Sequence, residues 1–249
     1  MGLALAAGEG RRLRPLTTVR PKPLCPVGDR VLLDWALDAL APAVGAMAVN
    51  LHHGGEQIAA HLEDRVAHGA APVHRSVEAI EALGTAGAVA QLRDWIDGRG
   101  VLIVNADTWH RADLVAFAAG WDGERVRLLT DGAPPFGPRS SVVASILPWR
   151  LTRTLQARPS GLWEVVWRAA LDAGELEAVH EPVHAIDCGT PADYLRANLA
   201  WSGGRPVVGE GADVLGTVER SVVWPGSTVR EDEVLVDAIR FGRRTVLVR

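Results

Sequence analysis

Residues 6–25 read AAGEGRRLRPLTTVRPKPLC and hold the densest chemistry of this 249-residue chain. Gly8 and Gly10 flank a single residue; Arg11, Arg12 and Arg14 follow at once, and Lys22 lies a little further on. A glycine turn leaves backbone N–H groups free to converge, and guanidinium forks beside it complete an anion nest. Two common phosphate loops do not match. Leu13 stands where a dinucleotide loop needs its third glycine, and no Gly-Lys-Ser/Thr follows. Alone, these residues equally suit a surface turn with solvated arginines. Lys22 is the sharper feature, because it is the only lysine among 26 basic residues. Lysine offers a compact point charge on a thin stem, arginine a wide planar fork. A site that needs the point charge explains the exception.

Something must hold that loop in place. Residues 2–6 and 46–51 read as short buried strands, and VLIVNA at 101–106 as a strong one. Helices are expected over 31–41, over 56–67, where Ile58, Leu62 and Val66 share a face, and over 84–97 and 161–173. A further helix is expected over 190–201, with Thr190 as cap, Pro191 in the first turn and Asp193 completing an approximate capping box. Strands alternating with helices predict an α/β fold with a mainly parallel, mixed sheet covered on both faces. Ligands bind such sheets beyond the carboxyl ends of the strands. That singles out the loops after residues 6 and 106, and Asp187, at a strand end just before a helix.

Near residue 202 the texture changes. SGGRPVVGEG reads as a linker, and Val223, Val229, Leu235 and Phe241 then recur six apart. That period predicts a parallel β-helix. The expected division is therefore a catalytic domain over 1–201 and a short left-handed β-helix-like segment over 202–249. So few coils cannot bury a core alone, so the segment is expected to pack on the main domain or on a second copy in a homo-oligomer. A plain β-hairpin is the simpler alternative.

Hydrophobic residues make up 48% and charged residues 22%, with a net charge of −4. This is a globular composition. The absence of any basic run speaks against nucleic acid and anionic membranes as partners. Gly8 and Glu9 interrupt the N-terminus before a secretory core can form, and no apolar run reaches spanning length, so a cytoplasmic location is expected. Cys25 and Cys188 offer neither a disulfide framework nor zinc spacing and read as reduced structural thiols. His52, His53, His61 and His110 suggest no metal triad. Trp163 and Trp167, four apart, are expected to pack one helical face.

Several segments together resemble the sugar-1-phosphate nucleotidylyltransferases. LAAGEGRRLRPLT with PKPLCPV is similar to that family's opening signature, EALGTAGAVA to its L-G-T-A-G-A segment, VNADTW to its strand-end aspartate, and AIDCGTPADYLRAN to its D-x-G-T-P-x-D-Y-L element. The resemblance implies a Rossmann-like fold of the nucleotide-diphospho-sugar transferase type. It also implies a Mg2+-dependent reaction between a nucleoside triphosphate, GTP or UTP by the LGTAG segment, and a sugar 1-phosphate. By the same resemblance, Arg12, Lys22 and Asp107 are catalytic, and Asp107 and Asp187 hold Mg2+. Leu5, Ala6, Ala7, Gly8, Gly10, Arg11, Arg12, Lys22, Leu83, Gly84, Thr85 and Asn105 meet the nucleotide. The chemistry agrees, since Mg2+ favours one or two carboxylates plus phosphate oxygens and water.

The chain departs from the family in two places. Arg11 replaces the usual Thr or Ser. Residues 131–160 lack the Glu-Lys-Pro element that grips the sugar phosphate in many members, leaving Arg139, Arg150 and Arg153 as stand-ins. Rival readings keep the fold but take phosphocholine or another phospho-alcohol, or bind a nucleotide sugar without turnover. An acyltransferase is disfavoured, because about one coil offers no acyl-donor groove.

Overall fold

The computed structural model describes residues 1–248. Its main sheet comprises β1 (Gly2–Leu5), β2 (Met47–Leu51), β3 (His74–Val77), β4 (Val101–Asn105), β6 (Val126–Thr130), β7 (Val142–Leu147) and β8 (Leu176–His180). Two short strands outside it, β5 (Thr108–Trp109) and β9 (Ile186–Asp187), pair with each other. The seven strands of the main sheet lie in the order β8-β6-β7-β4-β1-β2-β3. Only β7 runs antiparallel to its neighbours, so the sheet is the mainly parallel, mixed one expected.

The order has a direct functional consequence. From β1 the chain moves to β2 and β3 on one side, then returns to β4 on the other. Strand order reverses at β1, and a crevice opens beyond the carboxyl ends of β1 and β4.

Alternation along the strands supplies two cores. Leu3, Val101 and Ile103 face one, Ala4, Leu102 and Val104 the other. Helix α1 (Leu32–Leu40) seats Leu33, Leu37 and Leu40 on one face of the sheet, where α2 (Gly55–Ala67) adds Ile58 and Leu62. On the opposite face α3 (Gly84–Gln91) adds Ala86, Val89 and Ala90. Each fully buried Leu or Ile contributes about 1.5–3 kcal/mol.

Two expected helices take other forms. The 84–97 helix divides into α3 and a short turn Arg93–Ile96, and both Leu92 and Ile96 turn into the core. The 161–173 segment begins with a π-helical turn, Trp163–Trp167. There Trp163 and Trp167 close on Phe136, with ring centroids 5.8 and 6.4 Å away.

Beyond α4 (Pro191–Ser202), capped by the Thr190 hydroxyl on the Asp193 N–H, short strands stack in parallel. Val207–Val208 lies on Val222–Val223, and that on Ile239–Arg240. Asp213–Val214 lies on Thr228–Val229, and Thr217–Glu219 on Val234–Val236. Val223, Val229 and Leu235 fill the coil interior, as their spacing predicted. Phe241 instead joins Val222, Trp224 and Ile239 in a core shared with Leu13, Leu16, Val27 and Tyr194. Trp224 Nε1 donates to Tyr194 Oη at 2.9 Å, and Tyr194 Oη donates to the Pro26 carbonyl. The coils thus brace the arginine loop from beneath. Among the described residues no helix is long and apolar enough to cross a membrane.

Candidate functional site

The chain leaves β1 into the glycine loop, and Gly10 takes a left-handed conformation with φ +65°. A Cβ there would stand 2.9 Å from Thr17 Cγ2 and 3.2 Å from Lys22 Cβ, so only glycine lets the loop fold onto Lys22. Thr17 Oγ1 donates to the Gly10 carbonyl at 3.0 Å and holds the turn. Leu13, fully buried, anchors the following 3-10 turn and leaves Arg12 facing the crevice.

Lys22 lies at the centre. Its side chain is only 6% exposed, yet its Nζ donates to Asp107 Oδ2 at 2.8 Å and to Asp187 Oδ1 at 2.7 Å. Burial opposes the ammonium, but these two carboxylates outweigh it and hold its pKa above the ordinary lysine value. The aspartates meet because β5 and β9 pair antiparallel with Asp187 opposite Thr108, beside Asp107. The Cys188 N–H donates to the Asp107 carbonyl at 3.1 Å and ties the two strand ends together. Arg12 Nη2 stands 3.6 Å from Asp187 Oδ2. A Cβ on Gly189 would fall 2.9 Å from that same nitrogen, so this glycine makes room for the arginine.

Arg11 lines the same crevice, but its head is held by Glu9. Its Nε donates to Glu9 Oε2, and Arg14 Nη2 donates to Glu9 Oε1 at 2.9 Å. The hydrogen bond from Arg11 holds the Glu9 carboxyl below its usual range. Of the three arginines, Arg12 is the one facing the carboxylates.

The carboxylate pair suits a divalent cation. It already closes around one positive charge, the Lys22 ammonium, at hydrogen-bond distances. No cluster of three or more His, Cys, Asp or Glu side chains stands ready for a metal among the described residues. Two carboxylates whose remaining ligands come from phosphate and water are the donor set Mg2+ prefers.

Leu5, Ala6, Gly8, Gly10, Arg11, Arg12, Lys22 and Asp107 line one cavity of about 190 Å³. Leu5 also lines a neighbouring cavity with Thr85 and Asn105, where Ser140, Trp163 and Glu164 contribute as well. Ala7, Leu83 and Gly84 line neither cavity. Gly84, at φ +68°, faces away: a Cβ there would lie 2.6 Å from the Ser160 carbonyl. The LGTAG segment is a docking seam. The Ala86 N–H donates to Ser160 O at 3.0 Å, and the Leu162 N–H donates to Thr85 Oγ1 at 2.8 Å.

Among the stand-in arginines, Arg150 is committed to Glu175 at 2.7 Å, while Arg139 adjoins Ser140 beside the second cavity. His110 is buried, which lowers its pKa to about 4, and its Nδ1 accepts from the Ala112 N–H. Burial pushes both thiols up to about 12, and neither Cys25 nor Cys188 lines the crevice cavity. The sequence reading did not single out Gly189, Asn50 or Glu78. Gly189 lies inside the DCGTP segment already quoted; Asn50 and Glu78 carry no local signal.

Residues 1–124 match the family model described as Nucleotidyl transferase. The N-acetylmuramate alpha-1-phosphate uridylyltransferase of Caulobacter vibrioides is 39% identical over 132 residues, covering 51% of this chain and 54% of that protein. A protein of the same description from Neisseria meningitidis is 38% identical over 116 residues, covering 46% of this chain and 49% of its own length. The chain thus spans about half the length of these curated relatives. A probable mannose-1-phosphate guanylyltransferase of rice is 26% identical over 98% of this chain and 80% of its own. A putative glucose-1-phosphate thymidylyltransferase structure from Bacillus anthracis shares the fold, with a TM-score of 0.67, 20% identity, and coverage of 80% and 94% of the two chains.

Proposed function

The chain belongs to the nucleotidyl transferase family, and from that premise we propose that it joins a nucleoside triphosphate to a sugar 1-phosphate. In this reaction a phosphate oxygen of the sugar 1-phosphate forms a bond to the α-phosphorus. The bond from that phosphorus to the bridging oxygen breaks, and pyrophosphate leaves with that oxygen. The products are a nucleotide sugar and pyrophosphate. Such transfer needs positioning and charge neutralisation more than covalent help.

The observation that carries this reading is the buried Lys22 held between Asp107 and Asp187, with Arg12 beside them at the end of a glycine loop. The glycine loop offers N–H groups to the triphosphate. Arg12 and Lys22 neutralise phosphate charge as it shifts toward the leaving pyrophosphate. Asp107 and Asp187 would hold Mg2+, which would supply neutralisation of phosphate charge there. The second cavity, lined by Thr85, Asn105 and Ser140, receives the remainder of the substrates. Relatives named as uridylyl- and guanylyltransferases favour UTP or GTP as donor.

A matrix of the four triphosphates against several sugar 1-phosphates and phosphocholine, read by pyrophosphate release, tests the proposal. It holds if at least one sugar 1-phosphate pairing turns over with Mg2+. Release with phosphocholine alone, or tight binding of a nucleotide sugar with no release from any pairing, overturns it.

A further inference from the structure

Glu78 is 3% exposed, and among the described residues no cationic side chain pairs with its carboxylate. A buried carboxylate without a counter-ion is costly unless hydrogen bonds hold it, and here two do. Leu83 N–H donates to Oε2 at 2.7 Å, and Asn50 Nδ2 donates to Oε1 at 2.8 Å. Asn50, also 3% exposed, accepts the Ala6 N–H on its Oδ1 at 2.7 Å. The backbone of Glu78 is fixed as well: its N–H donates to Leu51 O at 2.8 Å, and its carbonyl accepts from His52 Nδ1 at 2.6 Å.

The placement explains the pair. Asn50 sits near the end of β2, the strand between β1 and β3, in register with Leu5 on one side and Ser76 on the other. It is therefore positioned to reach the loop after β1 and the loop after β3 together. The chain of hydrogen bonds runs from Ala6 through Asn50 and Glu78 to Leu83. It joins the start of the glycine loop to the start of the LGTAG segment, far along the chain.

We propose that Asn50 and Glu78 form a positioning bridge that sets the spacing of two nucleoside-binding loops, the glycine loop starting at Ala6 and the LGTAG loop starting at Leu83, whose Thr85 lines the second cavity. The assignment of those loops to the nucleoside rests on the proposed reaction; the bridge itself does not. Ala6 has its N–H committed to Asn50, so the nucleotide is met by neighbouring main-chain groups whose place the bridge sets. A glutamate is suited to the role because each of its two oxygens must accept from a different donor. Glutamine supplies only one acceptor oxygen, and its amide would face a donor.

That asymmetry provides the test. In Glu78→Gln the amide meets either the Leu83 N–H or the Asn50 amide, and one link is lost. In Asn50→Asp two carboxylates meet in a buried site. In the double variant Asn50→Asp/Glu78→Gln the pattern closes again. The introduced aspartate accepts from the Ala6 N–H and from the introduced glutamine amide, and the glutamine oxygen accepts from the Leu83 N–H. Affinity for UTP and for GTP is measured by calorimetry with Mg2+ present, and KM for each substrate by pyrophosphate release. Amide exchange at Ala6 and Leu83 is followed in the free protein. Each single variant is expected to weaken the bound triphosphate about tenfold, leave the sugar 1-phosphate KM unchanged and speed exchange at both amides. The double variant is expected to recover most of each loss.

Losses that simply add in the double variant, or exchange unchanged in the singles, overturn the bridge. If the wild type binds neither triphosphate, the proposed reaction fails instead. Exchange in the free protein then still decides the bridge, because recovery in the double variant supports it and absence of recovery overturns it.

Discussion

The two ends of the glycine loop are held by different physics. At one end Lys22, Asp107 and Asp187 hold each other by charge, with the aspartate side chains 37% and 55% exposed. At the other, Asn50 and Glu78 are sealed at 3% exposure and are held by directed hydrogen bonds with no ion pair. The first arrangement can open to admit ions and phosphates, because water and ligands replace its contacts. The second cannot exchange partners without disturbing the sheet edge. In the proposed reaction, exposed charge sits where phosphate charge shifts, and the sealed bridge keeps a fixed geometry.

Substitutions should separate the ends in kind as well as in size. Asp107→Asn or Asp187→Asn is expected to lower turnover by about 10²–10³, read by pyrophosphate release. Neither should displace the Ala6 and Leu83 amides, so their exchange stays at the wild-type rate. A loss of protection there would break the contrast.

Acid probes the charged end next. His110, three residues beyond Asp107, has its pKa lowered by burial to about 4 from 6.5. The folded chain leaves it neutral where the unfolded chain binds a proton. Its contribution is therefore whole above about pH 6.5 and is lost as pH falls toward about 4, by up to about 3 kcal/mol. Denaturant unfolding at about pH 7.5 and about pH 5 checks this: His110→Asn, which keeps an acceptor for the Ala112 N–H, should flatten the difference.

The arginines give the smallest effects. Arg12→Ala is expected to lower turnover and kcat/KM for the triphosphate about tenfold, and to cost less at high salt, because the guanidinium is exposed and screened. Arg11→Ala is expected to cost less than about threefold in the same assay, because Glu9 already neutralises that charge. Equal losses for the two would show that Glu9 releases Arg11 when substrate binds.

Legibility in the sequence followed the same division. The glycine loop, Lys22, Asp107 and Asp187 stood out because their types and neighbours are unusual, and the structure brings them together. The near-continuous apolar runs of β1, β2 and β4 marked the centre of the sheet. Edge strands β3 and β8 did not, because HRSV and LEAVH are largely half-buried or exposed and carry little apolar signal. Nor did β6 and β7, whose antiparallel pairing follows from where the chain returns. The six-residue spacing marked Val223, Val229 and Leu235 as coil interior, while Phe241 turned toward the main domain. Glu78 was invisible: in VEAIEA it reads as one more surface acid, and its burial beside Asn50 follows from which strands pair.

The most direct test of the central claim is Lys22→Arg, assayed by pyrophosphate release with the preferred substrates and checked for retained fold by circular dichroism. It preserves the charge but replaces the point ammonium, 2.7 and 2.8 Å from two carboxylates, with a broad fork. A folded variant that loses about a hundredfold or more in turnover is the expected result. A folded variant within about twofold of wild type would contradict the account.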